Sequence, residues 1–240
     1  MDIIWLPTID STNSEALRRL PELPSGTVLA AHTQSAGRGQ RGNSWFSEPG
    51  ANLTFSVVLK FGAGELLAAN AHRINYLASV AVVDFLEEEG VPAKVKWPND
   101  IYVGRRKICG ILVENALGSE GVEASVIGIG LNLNQLDFPQ LANATSLSLC
   151  TGRKYNLETA LAHFCALLEK RLPALSGDSL LQTYTGLLFQ KGISACYQDY
   201  LKEELFEGII EGVEADGRLC IRDIGGHLRR FSFKEVGYIL

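Results

Sequence analysis

The sequence lacks paired cysteines, and this absence limits both its chemistry and its compartment. Its five cysteines are scattered, and no two of them form a Cys-x-x-Cys pair. Scattered thiols without such spacing argue against a disulfide scaffold and against a zinc site. We therefore expect a reduced, cytoplasmic protein with buried thiols.

Long apolar runs and an excess of positive charge are also missing. No window approaches the roughly 20 apolar residues that a membrane span needs, and no basic segment of the kind that opens a signal peptide is present. The formal net charge is −5, whereas general nucleic-acid binders are more often basic. We therefore predict that neither a membrane nor a nucleic acid is the partner.

The most distinctive stretch is a glycine-rich loop at residues 34–46, Gln-Ser-Ala-Gly-Arg-Gly-Gln-Arg-Gly-Asn-Ser-Trp-Phe, between two predicted strands. Glycine permits close backbone approach to a ligand, and arginine offers a planar fork of donors suited to carboxylate and phosphate. A solvated surface loop remains an alternative, but two arginines and Trp45 favour an anion-binding loop. Its glycine spacing also matches a dinucleotide fingerprint, which is excluded because no helical run follows.

A short polar stretch near the N-terminus precedes a helical run. It contains Ser11, Thr12 and Asn13, and Thr12 followed by Glu15 fits a capping box, so a short helix is predicted here. Capping alone explains these residues. The alternative is that a helix N-terminus with spare hydroxyl and amide groups binds a polar ligand.

A second polar turn, Lys-Trp-Pro-Asn-Asp, occupies residues 96–100. Proline cannot donate to a strand ladder, so the chain must turn or bulge there. The turn presents Asn99, which could read an amide or a base edge, and Asp100, whose carboxylate suits a hydrated Mg²⁺. An ordinary Pro-Asn-Asp turn is the alternative.

Two later strands contain interior glycines. Lys107 opens a strand with Gly110 inside it, and the run at 126–134 contains Gly128 and Gly130. Gly110 indicates close approach of a ligand or of another backbone. At Gly128 and Gly130 the missing side chains on one face would leave room for a flat ligand, and a β-bulge is the alternative reason for each of these two glycines.

The remaining pattern predicts an α+β protein in two parts. Residues 65–90 show the apolar spacing of a long helix. After about Gln190 the pattern changes to short strands separated by Asp-Gly and Gly-Gly turns, which are strong hairpin signals. We predict a main domain at 1–189 and a small all-β domain at 190–240.

Five of these motifs together resemble the biotin protein ligases, in the order and spacing of that family and over nearly the whole chain. They are Ser11-Thr12-Asn13, Gln34 with the loop Gly37-Arg38-Gly39-Gln40-Arg41-Gly42 and Trp45, Lys96-Trp97-Pro98-Asn99-Asp100, Lys107 with Gly110-Ile111-Leu112-Val113-Glu114, and Gly128-Ile129-Gly130-Leu131-Asn132. The resemblance implies a catalytic domain like those of class II aminoacyl-tRNA synthetases, with a mixed sheet and helices, plus a small C-terminal SH3-like β-barrel.

The resemblance also implies a reaction in two steps. Biotin and Mg-ATP give biotinyl-5′-AMP and pyrophosphate, and a lysine of a biotin carboxyl carrier protein then attacks the mixed anhydride. The implied biotin contacts are Ser11, Thr12, Asn13, Gln34, Gly37, Arg38, Gly39, Gln40, Lys107, Gly110, Gly128 and Leu131. The implied ATP contacts are Arg38, Arg41, Trp45, Asn99, Lys107 and Asn132. Arg38 and Lys107 are the implied catalytic cations, and Asp100 is the candidate near Mg²⁺.

The chain departs from the family pattern at Gln40, which is an arginine in many members, and the substitution removes one positive charge from the loop. Because Ser11 follows the first residue so closely, we also expect no N-terminal DNA-binding domain and no repressor function. Monomers and edge-paired homodimers both occur in such ligases, so a homodimer is possible here. A lipoate or octanoate ligase or transferase of the same superfamily and a non-catalytic biotin sensor remain alternatives.

Overall fold

A computed structural model describes residues 1–139, 141 and 143–239, without the side chain of Arg41. The first half contains β1 Asp2–Ile9, α1 Thr12–Arg18, β2 Thr27–Gln34, β3 Leu53–Lys60, α2 His72–Glu88, β4 Lys94–Lys96, β5 Asp100–Val103, β6 Arg106–Gly118 and β7 Gly121–Leu131. The second half contains α3 Leu147–Thr151, α4 Leu157–Arg171, α5 Ser179–Gly186, β8 Ser194–Asp199, β9 Glu204–Val213, β10 Leu219–Asp223, β11 Leu228–Phe231 and β12 Val236–Tyr238. The predicted α+β class is confirmed.

The main sheet has seven strands in the order β1-β2-β3-β7-β6-β5-β4. The β1–β2 pair is parallel and the other pairs are antiparallel, so the sheet is mixed as predicted. Alternation of side chains along each strand gives the sheet two different faces. Phe55 and Val57 of β3 face the large core that also contains residues of α2 and α4, whereas Val58 packs with Ala16 of α1 in a smaller cluster on the other face.

Two helix boundaries differ from the sequence prediction. The long helix begins at His72 rather than Glu65, because the Glu65 carboxylate accepts the Gly62 N–H and closes a turn instead. The helix α1 is capped by Ser11, whose hydroxyl accepts the Ser14 N–H at 3.4 Å, so the predicted Thr12 capping box is wrong.

The C-terminal residues form a second sheet in the order β11-β10-β9-β8-β12, with every pair antiparallel. The first short strand predicted in this part started at Glu207, so strand β8, Ser194–Asp199, was missing from the sequence prediction. Strands β11 and β12 lie at opposite edges with no ladder between them among the described residues. The structure therefore gives an antiparallel sheet, and the SH3-like barrel stays a prediction. No helix in the described part of the chain is both long and apolar enough to cross a membrane.

Candidate active site

A cavity of about 350 Å³ lies on the α1 face of the seven-stranded sheet. The glycine-rich loop covers it, β4 to β7 contribute to its walls and floor, and residues around β12 of the C-terminal sheet close one side. The two sheets therefore meet at one cavity, although their residues are far apart in the sequence.

Strand register explains the composition of the cavity floor. Thr54, Gly130 and Gly110 are direct cross-strand neighbours on β3, β7 and β6, and the same row continues to Asp100 on β5 and Lys96 on β4. Direct neighbours across a sheet point to the same face. The glycines therefore form a low floor at one end of the row, and the charged side chains stand at the other end.

A buried polar network forms the wall beside α1. The Gln34 Oε1 atom accepts the Thr12 N–H at 2.8 Å and the Thr12 hydroxyl at 3.2 Å. The Ser56 hydroxyl lies 2.8 Å from Thr12 Oγ1 and 2.5 Å from Asn13 Oδ1. Because Ser11 caps the helix, the hydroxyl of Thr12 is available for this network rather than for the helix end.

Arg38 is held by a carboxylate of β6. Its guanidinium donates to Glu114 through two nitrogens, at 2.7 and 3.1 Å, and Glu114 also accepts from Asn13 Nδ2 at 2.9 Å. A fork of this kind fixes both the position and the orientation of the arginine. Glu114 therefore connects the glycine-rich loop to the first turn of α1.

Lys107 is held in a similar way in the middle of the cavity, with its Nζ close to Gly110. Its Nζ lies 2.6 Å from Asp100 Oδ1, and both side chains are about 30% exposed. Among the described residues, no three His, Cys, Asp or Glu side chains come together as a metal site. A single carboxylate is typical of Mg²⁺ sites in which phosphates supply other ligands, so the role of Asp100 near Mg²⁺ stays a prediction.

Trp45 fills the space above the floor glycines. A Cβ added at Gly130 would lie 2.6 Å from Cζ2 of Trp45, and one added at Gly110 would lie 3.1 Å from Cζ3. The indole Nε1 is buried and has no hydrogen-bond partner among the described residues. The glycines therefore make room for a side chain of the loop, and the unpartnered N–H is available to an acceptor on a ligand.

The absence of a side chain at Gly128 is also explained by a neighbouring side chain. A Cβ at this position would lie 2.8 Å from Cγ of Asn13, so the glycine admits the amide that anchors Glu114. No bulge occurs at Gly128 or Gly130, because the β3–β7 register runs without a shift and the β6–β7 register shifts only further along, between Ala116 and Leu117.

Comparison with known proteins identifies this arrangement. Residues 5–132 match the model of the biotin/lipoate A/B protein ligase family, which is more than half of the chain. The chain belongs to this family. It is 37% identical over 153 residues to the bifunctional ligase/repressor BirA of Bacillus subtilis, covering 62% of this chain and 46% of the relative. It is 39% identical over 131 residues to a biotin–[acetyl-CoA-carboxylase] ligase of Paracoccus denitrificans, covering 53% of each.

Solved structures extend the likeness to both sheets. The biotin protein ligase of Aquifex aeolicus in complex with biotin and ATP superposes with a TM-score of 0.79 at 26% identity, covering 98% of this chain and 97% of that one. The chain spans about half the length of the two curated relatives named above.

Most residues predicted for the ligase site are brought together. The cavity is lined by Ser11, Thr12, Asn13, Gln34, Arg38, Gly39, Gln40, Trp45, Asn99, Asp100, Lys107, Gly110 and Gly128. Gly37, Leu131 and Asn132 are not among its lining residues: Gly37 accepts the Trp45 N–H at 2.8 Å, Leu131 faces the core, and Asn132 donates to the Thr145 carbonyl at 3.0 Å. Their roles stay predictions, and the Arg41 side chain lies outside the described structure.

Sequence reasoning missed several members of the site. Ser56 is one residue of an alternating strand, and its spacing carries no signal of a polar network. Glu114 was part of a recognised motif without a role of its own. Tyr200, Phe233 and Tyr238 line the cavity from the C-terminal sheet, and no local pattern could place them there.

Proposed function

We propose that this chain activates biotin as biotinyl-5′-AMP with ATP and transfers the biotinyl group to a lysine of a biotin carboxyl carrier protein. The observation that carries the proposal is one cavity in which Arg38 and Lys107 stand beside a glycine floor and a buried hydrogen-bonding wall. The Aquifex aeolicus relative of the same fold, solved with biotin and ATP, supports the choice of ligands.

Biotin is assigned to the wall beside α1. Thr12 and Gln34 line the cavity with hydroxyl and amide groups suited to the polar ring system of biotin, and the buried Ser56 holds Thr12 in place from below. A site with placed hydrogen-bonding partners discriminates against ligands that lack matching groups. The wall therefore favours biotin over the apolar chain of octanoate.

The first step joins two anions, a carboxylate and a triphosphate. Arg38 and Lys107 are the cations that offset this repulsion and stabilise charge that develops on the α-phosphate. Both are ion-paired in this structure, to Glu114 and Asp100. Binding of the reactants replaces these carboxylates with the carboxylate and phosphate groups of the ligands.

Magnesium is assigned to the co-substrate as Mg-ATP. Asp100 is the residue that would hold the ion, and it becomes available when Lys107 turns to phosphate. Mg²⁺ supplies further neutralisation of the phosphates when bound.

The glycine-rich loop is assigned the exclusion of water from the adenylate, which is a hydrolysable anhydride. The loop is already closed on itself, since Gly39 donates to the Asn43 carbonyl at 2.7 Å and Trp45 donates to Gly37. Gln40, which also lines the cavity, replaces the positive charge expected at this position in many relatives. Because the loop has one positive charge fewer, we expect it to bind the biotinyl-5′-AMP intermediate less tightly.

The same proposal includes three further points. They are a domain boundary between residues 189 and 190, an SH3-like fold of the C-terminal part, and a carrier protein as the partner. The part of the C-terminal sheet that reaches the cavity is suited to contact the nucleotide or the incoming carrier.

One incubation tests the proposal. The protein is combined with labelled biotin, ATP, Mg²⁺ and a carrier domain, and label on the carrier lysine is the expected result. Label from lipoate or octanoate but not from biotin would instead identify the other activity of the same superfamily. Tight biotin binding without transfer would identify a sensor.

A further inference from the structure

Lys96 differs in its surroundings from Arg38 and Lys107, which line the same cavity. It lies at the end of the cross-strand row that runs from Gly130 through Gly110 and Asp100. It lines the cavity and is half-buried. No role has been assigned to it so far.

Aromatic rings, rather than a carboxylate, surround the Lys96 ammonium. Its Nζ lies 5.1 Å from the ring centroid of Tyr102 and 5.2 Å from that of Tyr238, and 3.4 Å from the Tyr102 hydroxyl. No ion pair of Lys96 occurs within the part of the chain that the structure describes, whereas Arg38 and Lys107 are both paired. Ring faces stabilise a cation without neutralising it, so Lys96 keeps its charge available to an anion.

Burial of the Lys96 side chain disfavours its charged form. Desolvation lowers the pKa of Lys96, the nearby Asp100 raises it, and Lys107 lowers it further. A half-buried cation near a second cation is costly to keep, and Asp100, which lies across from Lys96 and pairs with Lys107, offsets part of that cost. A bound anion would offset more of it.

The order of the strands along the cavity places Lys96 at the end opposite the proposed biotin wall. The biotin wall lies at β3, Lys107 reaches the middle from β6, and Lys96 lies on β4, two strands further out. Two strand spacings amount to about 10 Å. A nucleotide whose α-phosphate meets Arg38 and Lys107 would therefore extend its outer phosphates toward Lys96.

We propose that Lys96 binds the β- and γ-phosphates of ATP and holds the pyrophosphate that leaves in the first step. This proposal rests on the proposed function, because it assigns an additional residue to the same reaction. Tyr238 keeps the ammonium aimed at the cavity, so the C-terminal sheet acts on the phosphate end through a ring.

Biotin-dependent exchange of pyrophosphate into ATP tests the proposal in Lys96→Gln and Lys96→Met. Both changes remove the charge, and methionine retains an unbranched stem between the rings. We expect the KM for pyrophosphate and for ATP to rise about 10- to 100-fold, the range for loss of a charge-assisted contact, while the Kd for biotin stays unchanged. Lys96→Arg should restore most of the loss.

Lys94→Gln is the matched control. Lys94 lies two residues earlier on the same strand and the same face, but it is exposed and does not line the cavity. Wild-type KM values in both Lys96 variants would overturn the proposal, as would an equal weakening of biotin binding, which would indicate a packing role only.

A failure of the proposed function can be distinguished from a failure of the Lys96 proposal. If the wild-type protein shows no biotin-dependent exchange, inorganic pyrophosphate and ATP are titrated by calorimetry into the wild type and Lys96→Gln. Weaker binding by the variant would support the anion site without the reaction, and equal binding would refute it.

Discussion

Gly130→Ala is the substitution whose effect the structure defines most closely. A methyl group at this position would stand 2.6 Å from Cζ2 and 2.7 Å from Cδ2 of Trp45. Carbon atoms at optimal separation are about 3.5–4.0 Å apart. The indole would therefore have to move by roughly 1 Å or more, and the loop that carries it would have to move as well.

The free-energy cost of Gly130→Ala follows from the steric overlap of the new methyl group with the indole. Overpacking of a well-filled site costs about 1–3 kcal/mol, and Gly130 lies in a central strand where the backbone cannot give way easily. At Gly110 the nearest ring atom would be 3.1 Å away, a contact that a small shift of the ring relieves. We therefore expect Gly130→Ala to destabilise the protein by about 1–3 kcal/mol, and Gly110→Ala to destabilise it less.

Urea unfolding of Gly130→Ala, Trp45→Ala and the double variant measures the effect. Removing the indole removes the clash, so Gly130→Ala should cost almost nothing in the Trp45→Ala background, with a coupling of about 1–3 kcal/mol. An equal cost of Gly130→Ala in both backgrounds would refute the placement of Trp45 over the glycine floor.

Three further predictions have defined outcomes. Arg38→Ala should abolish adenylate formation in pyrophosphate exchange and Gln40→Ala should reduce it less, because glutamine brings no charge to the phosphate; equal losses would contradict this difference. Ser56→Ala should lower the free energy of unfolding in urea by about 1–3 kcal/mol, because the buried Thr12–Asn13 network loses a donor; an unchanged midpoint would count against that network. Burial raises the pKa of Cys165 from 9.0 to about 11, so its contribution to stability is complete below pH 9 and is lost as the pH rises toward 11. Cys165→Ala should show a smaller fall in unfolding free energy over that interval, and an identical fall would show that other groups cause it.

The glycine-rich loop was predictable in outline, because its composition is unusual and it lies between two strand patterns. Arg38 and Lys107 were expected at one site, and both line the cavity, while their roles stay predictions. Their carboxylate partners were not predicted. Glu114 lies 76 residues from Arg38, and nothing in either local pattern indicates that the two meet.

The two glycines of β7 also show what the sequence alone could not predict. The pattern at Gly128 and Gly130 left room for a ligand or a bulge as the reason. The structure gives a third reason, which is that the side chains of Asn13 and Trp45 occupy the space. Such an answer requires knowledge of which residues of a loop and a helix lie above the sheet.

Local chemistry in the sequence determined the alternating strands, the helical stripes, the polar turns and the motifs of a biotin/lipoate ligase family member. These features depend on neighbours within a few residues, so they can be identified without a fold. Tertiary structure alone decided that Ser11 caps α1 and leaves Thr12 to Gln34, that Trp45 covers the floor, and that Tyr238 from the C-terminal sheet contacts Lys96. Each of these depends on strand register and on packing between distant segments, which no short stretch of sequence specifies.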